Sequence, residues 1–295
     1  MAAPYLIVGC AGDSNAAIGK FGLNEGTDLA GSRIFTFRST WTGAGAFTGT
    51  PTINAADEPL DHKGMGSGTL ASGTGLVGST VALCRLLRDR GKLPDGFDIL
   101  IVPAAHAGTA FADYWATTPA YVDGVTGGRR ALTPFIDALT YAMALHASNR
   151  MWFFDWNHGA NDSSQTQQQY TDNMVATFAE IRSTIATASR TPLLVSGIPP
   201  NHVDPLLGGD TTHHTGVIAA QQAIAANVPD SIYVDVTGLT SIDNTNDYVH
   251  FAAVDHRGGT NNAPGNTSEV QTNPLSERKY NALLQIGWPA RMTWA

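Results

Sequence analysis

At 295 residues, 43% of them hydrophobic, the chain holds enough apolar side chains for a sizeable core. Only 14% are charged, well under the roughly 25% of an average globular protein, so the surface must be carried by Thr, Ser, Asn, Gln and Gly. The 17 basic against 25 acidic side chains leave a net charge of −8, which argues against nucleic acid or an anionic membrane as partner and suits a neutral polar substrate such as a sugar.

Strand-like sequence begins at Tyr5, where residues 5–9 are apolar and short enough for a buried strand. Runs of similar length recur at residues 34–37, 97–102, 151–156, 193–198 and 232–236. Segments with helical period lie between them. Val77, Val81, Cys84 and Leu87 mark one helix, and Phe135, Leu139 and Met143 a second. In residues 167–188 the apolar positions Tyr170, Met174, Phe178, Ile181 and Ile185 repeat at four, four, three and four, and Ser164 with Gln167 reads as the capping box of that helix. A last helix follows Asn273, with Pro274 in its first turn and Tyr280, Leu283 and Leu284 inward. Residues 38–73, 104–130, 200–215 and 252–273 are rich in Gly, Thr and Asn and read as long loops, which in a compact domain are usually functional. Near-continuous apolar strands alternating with helices predict a parallel sheet covered on both faces, in one domain over residues 1–295.

Cys10 and Cys84 sit in apolar contexts and read as buried free thiols. No apolar stretch approaches the roughly 20 residues that span a bilayer, and Met1-Ala2-Ala3-Pro4 carries no basic segment, so neither a membrane span nor a signal peptide is expected in this chain. Compartment and oligomeric state stay open, although a Lys-poor, Thr- and Gly-rich makeup suits a secreted or virion-associated protein.

In an open parallel sheet, ligands gather beyond the carboxyl ends of the strands. The first run hands over to Gly12-Asp13-Ser14-Asn15, the third to His106-Ala107-Gly108-Thr109, and the fourth to Asn157-His158-Gly159-Ala160-Asn161-Asp162; Asp247-Tyr248-Val249-His250 lies near the carboxyl end. These are the residue types of acyl transfer. A serine hydroxyl needs a base to take its proton, and an imidazole serves when a carboxylate fixes its tautomer. Asp247 and His250 are three apart, within reach of each other across a tight turn. Gly108 and Asn161 supply donors for an oxyanion, with the Ser14 N–H as a third. Beside them Asp13, Asn15, Thr109, Trp115 and His158 are candidates for binding substrate. Each block has a plain structural use as a turn or a cap; in this order, each after a strand, they point to one site.

The set resembles the SGNH, or GDSL-type, serine hydrolases: Gly12-Asp13-Ser14 as nucleophile block, Gly108 as glycine block, Gly159-Ala160-Asn161-Asp162 as G-x-N-D, and Asp247-Tyr248-Val249-His250 as D-x-x-H. The match runs from about residue 5 to residue 286. It implies a flavodoxin-like three-layer α/β/α sandwich with about five central parallel strands. It also implies carboxylic ester hydrolysis without cofactor or metal, by Ser14, His250 and Asp247, with Ser14, Gly108 and Asn161 as oxyanion hole. Within that family the chain is most similar to the carbohydrate O-acetylesterase branch that holds acetylxylan and sialate O-acetylesterases. Gly12-Asp13-Ser14-Asn15 resembles its G-Q-S-N, residues 102–109 with Trp115 its I-P-x-x-x-G-G-T…W, residues 55–60 its W-x-x-A-x-x-P-L, and Trp156-Asn157-His158-Gly159 its W-H-Q-G-E. Asp13, Ala107, His158 and Ala160 depart from that pattern, and the segment after His250 is long for it. An acetylated saccharide, or another small ester, is the substrate this implies.

Other residues compete. His202, Asp204, His213 and His214 cluster in a polar loop as a weak metal site. Asp255-His256 is a rival acid–base pair, poorly suited because its members are adjacent. Trp41, Trp115 and Trp156 suit either sugar stacking or packing, and Asn266-Thr267-Ser268 fits a glycosylation sequon. A lipase or thioesterase using the same residues would need an apolar groove that these loops do not offer. A carbohydrate-binding or virion module on an inactive scaffold would not need the full set of residues.

Overall fold

A computed structural model describes residues 3–13, 16, 31–41, 47–56, 60, 78–105, 109–117, 131–199, 214–239, 251, 253–260 and 270–288. In chain order the strands of its main sheet are β1 (Tyr5–Gly12), β2 (Ile34–Trp41), β3 (Phe47–Ala55), β4 (Asp98–Pro103), β5 (Arg150–Asn157), β6 (Leu193–Ser196) and β7 (Ser231–Val234). They lie in the order β3-β2-β4-β1-β5-β6-β7, and every pairing is parallel except β2 with β3. The sequence predicts about five parallel strands; the six apolar runs read from it correspond to β1, β2, β4, β5, β6 and β7, and only the antiparallel β3 falls outside them. Phe47–Ala55 falls in a stretch read as loop, because its Thr, Gly and Pro51 mask the pattern. An edge strand is where a sheet tolerates proline.

The sheet is covered on both faces, as the apolar strands require. Helices α1 (Ser79–Asp89), α7 (Ala253–Arg257) and α8 (Leu275–Gln285) pack together. Val81, Leu83, Cys84 and Leu87 of α1, with Leu275, Tyr280 and Leu283 of α8, bury against Leu6, Val8, Ile99 and Ile101. Opposite them, α2 (Phe111–Tyr114), α3 (Leu132–Ala144), α4 (Gln167–Thr184), α5 (Thr215–Gln222) and α6 (Ile224–Asn227) cover Ile7, Ala11, Leu100 and Val102. Alternation along β1 and β4 thus splits the core into two layers, the three-layer α/β/α arrangement. A small antiparallel pair, β8 (Gly259–Thr260) with β9 (Val270–Gln271), follows α7. No described helix is long and apolar enough to cross a membrane.

Local expectations mostly hold. Tyr170, Met174, Phe178 and Ile181 are the buried stripe of α4. Its capping box is Thr166 with Gln169, two residues beyond the pair read from the sequence. Leu284 faces outward at 38% exposure, while Tyr280 and Leu283 point inward. Cys10 and Cys84 are buried and not in a disulfide.

One irregularity sets up the site. Ile7 pairs with Met151 but Val8 with Phe153, so β5 carries one extra residue there. Trp152 and Phe153 both join the α1/α8 layer, and the alternation beyond them is reversed. Asp155 therefore faces α1 and α8, while Phe154 and Trp156 face the other layer. The winding also changes direction near β1, because the chain goes from β2 to β4 on one side and then crosses to β5 on the other. The carboxyl ends of β4, β1 and β5 flank that switch point, where open α/β sheets hold ligands.

Candidate active site

At this edge the ends of β1 and β5 are locked together through Gly12. Its φ is +141°, and a Cβ there would stand 1.9 Å from the Asn157 carbonyl oxygen, so only glycine fits. The next residue closes the joint, with the Asp13 N–H donating to Asn157 O at 2.9 Å. From β4 the Ala104 N–H donates to Cys10 O at 2.8 Å, which brings the start of the glycine-block loop alongside. The Asp13 carbonyl accepts from the Ala16 N–H at 3.1 Å.

The loop after β5 is braced from all sides. Asp13, fully buried, accepts with one oxygen from the N–H groups of Gly159 and Ala160 at 2.9 and 3.0 Å. Asp162, also buried, accepts with Oδ1 from the Phe111 N–H at 2.8 Å and from the Gln165 side-chain amide. Its other oxygen lies 3.1 Å from Nδ1 of His158. The His158 carbonyl accepts from the Tyr170 hydroxyl at 3.1 Å and from Gln221 Nε2 at 2.7 Å. His214 reaches the Ala160 carbonyl at 3.1 Å. At Gly159, with φ +129°, a Cβ would meet Val217 at 2.8 Å and Gln221 at 3.0 Å. Inside this frame the backbone turns outward at Asn161, which is exposed while Ala160 and Asp162 on either side are buried.

Burial disfavours charge on the His158 ring, but the Asp162 carboxylate, with help from Asp13 and the Thr109 backbone, outweighs it and holds the imidazole above its usual value. The ring stacks on Trp156 with centroids 5.5 Å apart and meets Phe111 edge-on at 5.3 Å. Burial, reinforced by the Asp162 charge, pushes the Tyr170 phenol well above its usual range, which keeps its proton available as donor.

These positions change what several residues can do. Asp13, Thr109, Trp115 and His158 are all buried, beneath the surface at which Asn161 is exposed. Trp115 and Trp156 pack against each other at 4.8 Å inside the α2/α4 layer, which is packing and not sugar stacking. Asn161 alone among the described candidates is presented to solvent. Ser14, Asn15, Gly108, Asp247 and His250 lie outside the described residues, as do His202, Asp204, His213 and Asn266. Phe251, next to His250 in the chain, is buried in the α1/α8 layer with its ring against His256. The rival pair Asp255 and His256 is fully buried, and Asp255 accepts from Gln271 at 3.3 Å. Among the described residues no group of three or more His, Cys, Asp or Glu is placed to hold a metal ion.

The braces Tyr170, Gln221 and His214 are the part that sequence reading misses. Tyr170 has a signal in hindsight: it is the first inward position of α4, and a buried tyrosine hydroxyl needs a partner. Gln221 has none, because its partner is a backbone carbonyl far away in sequence; His214, read with His202, Asp204 and His213 as a weak metal site, is found at the Ala160 carbonyl.

No family model matches the chain, and no curated protein matches it by sequence. Solved structures share its fold. The crystal structure of NanS superposes with a TM-score of 0.58 at 16% identity, covering 99% of this chain and 100% of its own. A protein of Arabidopsis thaliana superposes at 0.62 with 17% identity, covering 96% and 98%. A carbohydrate acetylesterase from Xanthomonas citri also superposes at 0.62, with 13% identity and 98% of this chain covered; the chain spans 58% of that protein's length. The likeness is one of fold, and it is the fold that the resemblance to SGNH-type hydrolases implied.

Proposed function

We propose that this chain is a serine esterase that removes O-acetyl groups from a carbohydrate or polysaccharide. Ser14 Oγ attacks the ester carbonyl while His250 takes its proton, oriented by Asp247. The tetrahedral oxyanion is received by the N–H groups of Ser14 and Gly108 and by the Asn161 amide. His250 then returns the proton to the departing sugar oxygen, leaving acetyl-Ser14. Water activated by the same imidazole releases acetate and restores the serine.

The observation that carries this reading is Asn161. It is an exposed amide on a loop whose flanking residues are pinned by two buried carboxylates, at the switch point of a parallel sheet. A donor held still before the reaction is what oxyanion stabilisation requires, and losing one such donor costs about 10²–10³ in turnover. The choice of a sugar ester is supported by the −8 charge, by loops rich in Thr, Asn and Gly, and by the fold shared with a carbohydrate acetylesterase. The test is acetate release from p-nitrophenyl acetate and from a panel of acetylated polysaccharides. Ser14→Ala is expected to lose about 10⁴-fold or more in kcat. Equal rates in the two proteins would overturn the mechanism, and a preference for octanoyl over acetyl esters would overturn the substrate class.

A further inference from the structure

His158 is a fully buried imidazole with one carboxylate, Asp162, in its own loop and a second, Asp13, at the end of β1. Its surroundings among the described residues can be taken element by element. Asp162 of the same loop lies 3.1 Å from Nδ1, and Asp13 from the end of β1 adds a second negative charge. The segment before α2 contributes the Thr109 backbone and the Phe111 ring, and β5 contributes Trp156. From α4 comes the Tyr170 hydroxyl, which stays protonated. Gln221 of α5 is neutral and bonds the His158 carbonyl, and His214 Nε2 lies 3.1 Å from the Ala160 carbonyl oxygen. The ring thus lies against one of the two carboxylates that fix the loop and feels the charge of the other: Asp162 holds Phe111 and Gln165, and Asp13 holds the N–H groups of Gly159 and Ala160.

We propose that a proton on His158 fixes the shape of the Gly159–Asp162 loop and, through it, the position of the Asn161 amide, so that His158 is a positioning residue whose titration limits turnover on the alkaline side. This rests on the esterase reading above. With the proton in place, the imidazolium balances two buried negative charges in a medium of low dielectric, where such interactions are strong. Once it is lost, Asp13 and Asp162 brace the same short loop without the positive charge that offsets theirs, and the loop relaxes. A displacement on the order of 1 Å is enough to cost about 10²-fold in rate. The direction follows from linkage. A histidine held above its usual value in the folded chain contributes stability that is complete below the unfolded value and is lost as pH rises through the folded one. The proposed base His250 works the other way, since it must be unprotonated to act.

The experiment is the pH dependence of kcat and KM for acetate release by wild type and His158→Gln, from about pH 5 to about pH 9.5. Wild-type kcat should rise with an acid limb and fall about tenfold or more on the alkaline side, with KM nearly constant. His158→Gln should keep the acid limb and lose the alkaline one. An alkaline limb unchanged in the variant, or absent from the wild type, overturns the proposal. If His158→Gln fails to fold, Asp162→Asn takes its place: removing the nearer carboxylate should move the alkaline limb about one unit or more toward acid, and an unmoved limb is fatal. Should the wild type release no acetate at any pH, the esterase reading falls, and thermal unfolding then decides the question of the proton. Wild-type Tm should drop with rising pH over a range where His158→Gln is flat; parallel curves would overturn it.

Discussion

Removing the Asp13 carboxylate tests the bracing of the β5 loop directly. One of its oxygens accepts from two backbone N–H groups, Gly159 at 2.9 Å and Ala160 at 3.0 Å, and the residue is 0% exposed. In Asp13→Ala both amides remain in the interior with no carboxylate to receive them. A buried donor stripped of its acceptor costs about 1–3 kcal/mol, so the pair predicts a loss of about 2–6 kcal/mol. That is a large share of the roughly 5–15 kcal/mol that holds a typical domain folded. Asp13→Asn keeps an oxygen where both amides can reach it but gives up the charge. The difference between charged and neutral hydrogen bonds then sets a smaller loss, about 1–3 kcal/mol for the two. Urea unfolding measures this, provided that the slope of ΔG against urea is shared by the three proteins. The expected order is wild type, then Asn, then Ala. A shift under about 0.5 kcal/mol for Asp13→Ala, the size of an ordinary surface substitution, would refute the reasoning, and so would an Asn variant as damaged as the Ala variant.

Gly12→Ala should be far worse than Gly91→Ala, although both glycines have positive φ. Gly91 has open space around its missing Cβ and should lose only about 1–2 kcal/mol of backbone preference. Gly12 adds a collision with the Asn157 backbone and should lose about 2–6 kcal/mol; equal losses in thermal unfolding would contradict the close approach of β1 and β5. The buried pair of Lys279 and Asp155, 2.6 Å apart, makes a separate prediction. Lys279→Met alone strands a carboxylate and should cost about 3–5 kcal/mol, whereas Lys279→Met with Asp155→Leu should recover most of it. No recovery in chemical unfolding would mean that the single loss is one of packing.

The parts of the fold that were legible in the sequence were those with a strong local period. Tyr170, Met174, Phe178 and Ile181 announce α4 because their spacing is set by the helix itself. The cap was ambiguous because Ser164 with Gln167 and Thr166 with Gln169 obey the same rule. In the structure a local turn comes first, closed by the Gln165 N–H donating to the Asp162 carbonyl at 2.9 Å, and the helix begins after it. Strand β3 was hidden because an edge strand buries little, so Phe47–Ala55 needs no apolar alternation. The site blocks stood out as small polar residues after apolar runs. Their depth did not, since His158 and Asp13 look in sequence like groups that would face a ligand. Only the packing of Phe111 and Trp156 against His158, and the complete burial of Asp13, show that both lie beneath the surface.

A chain with so few charges places several of them inside, and their distribution around β5 has a common logic. The extra residue at Trp152 and Phe153 reverses the strand's alternation, so that Asp155 meets Lys279 in the α1/α8 layer. Thr80 donates to the second oxygen of Asp155 at 2.8 Å, and Lys279 also donates to Ser79 at 2.7 Å, which ties the start of α1 into the same grip. Two residues further on, Asn157 is joined to Asp13, and beyond it His158 and Asp162 are gripped from the α2 and α4 side. The end of one strand is therefore held from both faces of the sheet and from the neighbouring strand. Apolar packing alone is non-directional and would let such an end shift by fractions of an ångström. Charged and hydrogen-bonded contacts in a dry interior penalise each such shift. That stiffness is concentrated below the exposed amide of Asn161, and in the proposed mechanism a preorganised donor gains its catalytic effect from being unable to move when charge develops in front of it.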